Sequence, residues 1–449
     1  MKTMKLALPL LIALAYAPQV LAGTATSLLG PDLSSLTVFA GTVPAPQGSY
    51  VSIGDSAIVY GSIFATGVLE TNAGAKVTGN IVSGGAANIG AIIGTPVNPA
   101  AYSVGGYVES GGVFTAGDGA IIKGYVNSNG AATIGRNATV LGNMISGGVA
   151  TTGANSTVGG SLVSSGAATI GDTAVVGGNM KSGDFSTTGA NSKVLGTVTG
   201  THPNSISASS TVSGGLFTTP TTAPILTSDV IDKAHAGAAQ VLSAQNALKN
   251  MSPTTTFSDV ALNINGSGST PISYTAGVYD YAGYLTTTAG TTINLVGDGT
   301  ANQSWVFNFD TYFSAGANTK IVLINGGAGD TVIWNAGTYT SIGAGSSFLG
   351  TILSGTYVDV YAGASVTGIG TSCGGIFSQT SYVATGANSI VGGAGCTGVN
   401  SGFDILDGVA VRSTITSAVP EPETYGMLLA GLGLVGFMAR RKKQAKKQA

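Results

Sequence analysis

Apolar residues return every 18 positions through the first half of this chain. The third position of each repeat is Ile63, Ile81, Val108, Val126, Met144, Leu162, Met180 and Val198, and the seventeenth is Val77, Ile122, Val140, Val158, Val176 and Val194. The starting glycines Gly106, Gly124, Gly142, Gly160, Gly178 and Gly196 keep the step of 18, as do Gly61 and Gly79; a nine-residue insertion near Thr95–Ala101 lies between the two sets. So short a period predicts a solenoid, in which each repeat buries its apolar face only against its neighbours. Glycine recurs at the seventh position (Gly67, Gly85, Gly112, Gly130, Gly148, Gly166) and the twelfth (Gly90, Gly117, Gly135, Gly153, Gly171, Gly189). Such columns do not sustain a helix and predict corners at positive φ. Strands of roughly four to six residues remain between corners. The expected fold is an all-β solenoid, a triangular β-helix.

Alternation within the strands assigns faces. Positions nine and eleven (Ala132/Ile134, Ala150/Thr152, Ala168/Ile170, Ser186/Thr188) are small or apolar and point inward, so position ten points out. It reads Thr115, Thr133, Thr151, Thr169 and Thr187, beside an outward column Val113, Ala131, Val149, Ala167 and Phe185. The outcome is a flat, uncharged face ruled at about 4.8 Å between coils and about 6.6 Å along each strand. A contiguous stripe of this kind is a candidate surface-binding face. Threonine is also a good strand former whose ladder stabilises stacking.

After Pro220–Pro224 the pattern changes. Thr227-Ser228-Asp229 offers an N-cap, and Val230, Ile231, Ala234, Ala238, Val241, Leu242 and Leu248 recur at helical spacing until Pro253. This predicts one long α-helix packed lengthwise on a coil face. Strand patterns resume over residues 255–395: Thr275-Ala-Gly-Val-Tyr279, Trp305-Val-Phe-Asn-Phe309, Ile321-Val-Leu-Ile-Asn-Gly326, Asp330-Thr-Val-Ile-Trp334, Ser341-Ile-Gly-Ala-Gly-Ser-Ser-Phe348 and Gly350-Thr-Ile-Leu-Ser354. With the helix and the early Asp32-Leu-Ser-Ser-Leu-Thr-Val-Phe-Ala-Gly41, this set resembles the microbial ice-binding-protein family. The resemblance implies a right-handed triangular β-helix with an α-helix alongside, and ice as ligand. The chain departs from it after Val366, where it reads Thr367-Gly-Ile-Gly-Thr-Ser-Cys373, and in its longer first half, whose Gly-Asn-apolar coils look more like bactofilin. No ice-contact position carries over residue by residue.

Both termini read as addresses. Residues 1–22 combine Lys2 and Lys5, an apolar run Leu6–Ala17 and the small-residue spacing Val20-Leu-Ala22, a signal peptide cleaved after Ala22. Near the other end Val419-Pro420-Glu421-Pro422-Glu423 precedes an apolar run Tyr425–Ala439 and Arg440-Arg441-Lys442-Lys443. This order is similar to a PEP-CTERM sorting signal. The similarity implies an exported, cell-surface or extracellular protein of a Gram-negative bacterium, an exosortase-type processing partner and transient membrane insertion by the tail. The expected divisions are a signal peptide (1–22), an N-terminal solenoid (23–219), a linker and helix (220–253), a C-terminal ice-binding-like β-helix (254–400), a linker (401–418) and a sorting tail (419–449). In an exported chain, the cysteine pair Cys373 and Cys396 reads as one disulfide.

Composition narrows the function. Only 8% of residues are charged, and residues 23–419 hold nine Lys/Arg against 17 Asp/Glu, which argues against a nucleic-acid partner. No His-Glu-x-x-His, Cys-x-x-Cys or Walker loop occurs, and Gly431-Leu-Gly433-Leu-Val-Gly436 lacks the strand–helix setting of a nucleotide site. Asp298, Asp310 and Asp330 do not form a calcium β-roll pattern. His202 and His235 each stand alone. The expectation is a non-enzymatic protein without cofactor or metal. It adsorbs to ice or another ordered surface through the Thr/Ala/Val face, or it serves as a stiff spacer or adhesion protein in exopolysaccharide.

Overall fold

The computed structural model describes residues 25–41, 49–92, 102–218, 229–258, 261–264, 272–370 and 373–413. The proposed signal peptide, the insertion near Thr95–Ala101, the Pro220–Pro224 linker and the sorting tail lie outside the described residues, as does the side chain of His235. Short parallel strands stack into a three-sided solenoid. Face one is a sheet of 16 strands, face two a sheet of 15, and face three two sheets of 6 and 8 strands. Isolated bridges from Val104 to Val77 and to Ile122 span the gap in face three.

The two solenoid stretches expected as separate units share these sheets. Strands Leu36–Ala40, Tyr50–Ile53 and Ile58–Val59 form the joint. On face one Val38 pairs with Ile376 of the last coil and with Ile63 of the first repeat. On face two Val51 pairs with Val383 and Leu69, and on face three Ile58 pairs with Ile390 and Lys76. The repeats extend from one side of this coil as an arm, and residues 255–391 stack on its other side.

Every inward column contributes to one continuous core. Val126, Met144 and Leu162 are fully buried, as are Val140, Val158 and Val176. Position five adds a file that hydrophobic patterning passes over: Ser83, Ser110, Ser128, Ser146, Ser164 and Ser182, all buried. Ser128 Oγ donates to Gly112 O (2.8 Å) and Ser146 Oγ to Gly130 O (2.9 Å), each the corner carbonyl of the preceding coil. Each hydroxyl is a second donor to a corner carbonyl that already accepts a backbone N–H of the coil above it, Gly130 N to Gly112 O (2.8 Å) and Gly148 N to Gly130 O (3.1 Å).

The corners correct one expectation. Glycines at positions seven and twelve do not sit at positive φ. They are required by close approach: a Cβ on Gly153 would stand 2.6 Å from Arg136 N, and one on Gly171 2.6 Å from Gly153 C. The left-handed conformation falls instead at position fourteen, at Asn137, Asn155, Thr173 and Asn191 (φ 55–57°).

The helix α2, Asp229–Lys249, lies along face one of the second half, and a short helix α1, Gly30–Ser34, sits beside it. Val241, Ala244 and Leu248 pack with Val306, Ile333, Leu353 and Phe377. Strands such as Thr331–Ala336 are therefore buried on both sides. Asn308 Nδ2 donates to Leu248 O (3.0 Å) and Asn335 Nδ2 to Gln245 O (3.1 Å), satisfying carbonyls of the last helical turn. Within the expected linker 401–418, strands Phe403–Leu406 and Val409–Arg412 flank an Asp407-Gly408 turn, a hairpin signal. Thr26 pairs with Ile405, and Phe403 and Ala410 are buried with the helix cluster.

Candidate surface-binding face

Face two bears the threonine file. Thr115 pairs in register with Thr133, Thr133 with Thr151, Thr151 with Thr169, and Thr169 with Thr187. The inward neighbours Ala132, Ile134, Ala150, Ala168 and Ile170 are buried, which turns every position-ten side chain outward. Thr115 is exposed and the other four are half-buried. The glycine corners keep successive coils close and in register, so the hydroxyls and methyls repeat with the coil.

The neighbouring column is less uniform than expected. Val113 and Val149 are 46% and 45% exposed and Phe185 is similar, while Ala131 is half-buried. Ala167 is only 8% exposed, because its single methyl lies in the file between the larger Val149 and Phe185. Ala167 therefore belongs to the floor of the stripe.

The same outward file continues through the joint. Beyond Thr115 it reads Asn88, Glu70, Ser52, Ala384, Asp359, Ser341 and Ser314. Carboxylates thus interrupt it at Glu70 and Asp359, whereas its five threonine positions form an unbroken run. Asp359 is half-buried and its carboxyl is held above the ordinary range, mainly by desolvation and against the hydrogen bond from Tyr382.

Of the remaining candidates, Cys373 and Cys396 are disulfide-bonded, with Cα atoms 5.8 Å apart. His202 is not alone: its Nδ1 lies 2.8 Å from Asp184 Oδ1. Among the described residues no three His, Cys, Asp or Glu side chains converge to hold a metal. Pro420, Glu421 and Pro422 lie outside the described residues.

A β-solenoid braced by one long helix, with a flat hydroxylated face left open, defines a class of repetitive surface-binding scaffold. The ice-binding-like family model matches residues 163–391, and the chain belongs to that family. A PEP-CTERM protein-sorting motif matches residues 418–442, a signal for export and surface sorting. An ice-binding protein of Nostoc sp. (strain HG1) is 28% identical over 225 residues, 50% of this chain and 71% of that protein. Among solved structures, the Shewanella frigidimarina ice-binding protein domain is 23% identical, covering 48% of this chain and 93% of its own, with TM-score 0.29. An ice-binding protein from the Antarctic ascomycete Antarctomyces psychrotrophicus is 20% identical, covering 50% and 92%, with TM-score 0.28.

Proposed function

We propose that this chain is a non-enzymatic ice-binding protein that adsorbs through face two of its arm. The contacts are Thr115, Thr133, Thr151, Thr169 and Thr187, with Val113, Ala131 and Val149 beside them and Ala167 beneath. Family membership supplies the ligand class. The observation that carries the location is the charge-free register of five threonines on a flat sheet. Hydroxyls and methyls at the coil spacing hold a layer of water in positions that an ice lattice can adopt. Each contact is weak, but a rigid array loses little entropy on binding. The sorting motif supports display at the surface of a Gram-negative bacterium after exosortase-type processing.

The test is ice-crystal faceting and the freezing-point gap of the purified protein. Thr151→Tyr, at the centre of the ladder, should abolish most of that activity while the melting temperature holds. Activity that survives Thr151→Tyr and falls on an equivalent change within residues 330–390 relocates the site to the second half. An unmodified protein without activity rejects the ice reading.

A further inference from the structure

Outside the threonine file, face two also carries a row of stacked aromatic rings. Tyr284, Tyr312, Tyr339, Tyr357, Tyr382 and Tyr50 stand in one row on face two of the second half and the joint. Their ring centroids are 4.5–4.9 Å apart and adjacent planes lie within 5–9° of parallel. Tyr50 is 42% exposed and the other five are half-buried. Register places this row in the column that continues as Val68 and, along the arm, Val113, Ala131 and Val149. Each ring covers the faces of its neighbours, so a ligand meets ring edges and hydroxyls. Burial is the main cause holding the phenols of Tyr50, Tyr312, Tyr339, Tyr357 and Tyr382 above their ordinary value. They are neutral hydroxyls at physiological pH.

A second row runs parallel, two residues further along each strand: Thr286, Ser314, Ser341 and then Asp359. Asp359 Oδ2 accepts from the Tyr382 hydroxyl (3.2 Å), and its other oxygen has no hydrogen-bond partner among the described residues. The strands that build the strip (Tyr284–Thr287, Phe313–Ala315, Thr340–Ile342, Val358–Val360, Val383–Thr385 and Tyr50–Ile53) contain no lysine or arginine. Phenols reach further from the sheet than serine or threonine, so the strip has a ridge along one side and is a poor fit to a flat lattice.

We propose that this strip is a second binding site, distinct from the threonine face, for an uncharged polysaccharide chain lying lengthwise along the solenoid. The array is one-dimensional and periodic, as such a polymer is. It offers hydroxyls that donate and accept, ring edges for sugar C–H groups, and a carboxylate that accepts from sugar hydroxyls. An acid without a base repels anionic polymers. Contacts that are weak at each coil add along the row because the polymer, once held at one, is at high local concentration at the next.

The test is affinity electrophoresis of the full chain through native gels containing hydroxyethylcellulose, laminarin or dextran, with alginate as the charged control. Retardation is expected in at least one uncharged polysaccharide and not in alginate. Tyr339→Phe/Tyr357→Phe/Tyr382→Phe removes three hydroxyls and keeps the ring stack, so the fold is retained. It should weaken apparent affinity at least tenfold, as should Asp359→Ala, whereas Thr151→Tyr should leave retardation unchanged. Because ice activity is measured separately, the two readings fail independently. The proposal is overturned if no uncharged polysaccharide retards the chain, if alginate alone does, or if the triple Phe variant migrates like the unmodified protein. A triple variant that loses ice activity and keeps its retardation overturns it as well.

Discussion

Backbone strain is concentrated at one corner residue. Position fourteen adopts the left-handed conformation in coil after coil, and asparagine tolerates it because its short amide bonds locally. Thr173 is the β-branched exception (φ 56°), flanked in the stack by Asn155 and Asn191. Thr173→Asn should therefore stabilise the protein by about 1 kcal/mol, read as a higher denaturant midpoint with an unchanged slope. Asp359 is a second residue at odds with stability. With its folded pKa raised, the native state binds its proton more tightly than the unfolded chain does. Stability from this group is then fully present below the ordinary carboxylate value of about 4 and lost as pH rises through the folded value. Asp359→Asn should raise the melting temperature at pH 7, with the gain vanishing as pH falls below about 4. A gain that persists at low pH would assign it to another cause. A residue that weakens the fold yet faces an open strip is consistent with a binding role.

The strands and helix were largely legible in the sequence because their signals are local and repeated. Columns three and seventeen marked the core, and alternation turned position ten outward. The helix was legible from its spacing between Asp229 and Pro253. What escaped reading depends on neighbours across coils. Ser128 looks polar in sequence but is buried against Gly112 of the previous turn, and a glycine column cannot reveal whether it serves dihedral freedom or close approach. The tyrosines are separated by unequal steps, from Tyr50 to Tyr382, so only stacking aligns them. The core columns have a sharp consequence. Leu162→Asp places a carboxylate in a thin apolar filling without a partner and should cost several kcal/mol. A melting temperature unchanged within error would remove position three from the core.

For the whole molecule, the arm is additive. Residues 142–159 form one complete coil, and its neighbours Val126 and Leu162 carry equivalent side chains at equivalent positions. Deleting these 18 residues should leave a folded protein with a slightly shorter core. It removes Thr151 from the ladder while Thr133 comes to pair with Thr169. The freezing-point gap should shrink but not vanish, whereas a deletion out of step, such as 142–150, should abolish folding. Equal tolerance of both deletions would refute the register. The Asp407-Gly408 hairpin and the joint coil were not foreseen at this scale, because nothing near Val38 in the sequence announces a partner at Ile376.

That joint coil also orders events in time. The strands of that coil are made before the rest of the solenoid, and one side of it is covered as soon as the next repeats follow, by contacts between near neighbours in sequence. Its other side waits for residues 375–391, more than three hundred positions later. The arm can consequently assemble early and quickly, as short-range contacts allow, while the second half must bring its final turn back to a surface laid down at the start. Until then the open flank of the first coil is an unpaired strand edge, the point at which a folding intermediate is most exposed to pairing with the wrong chain.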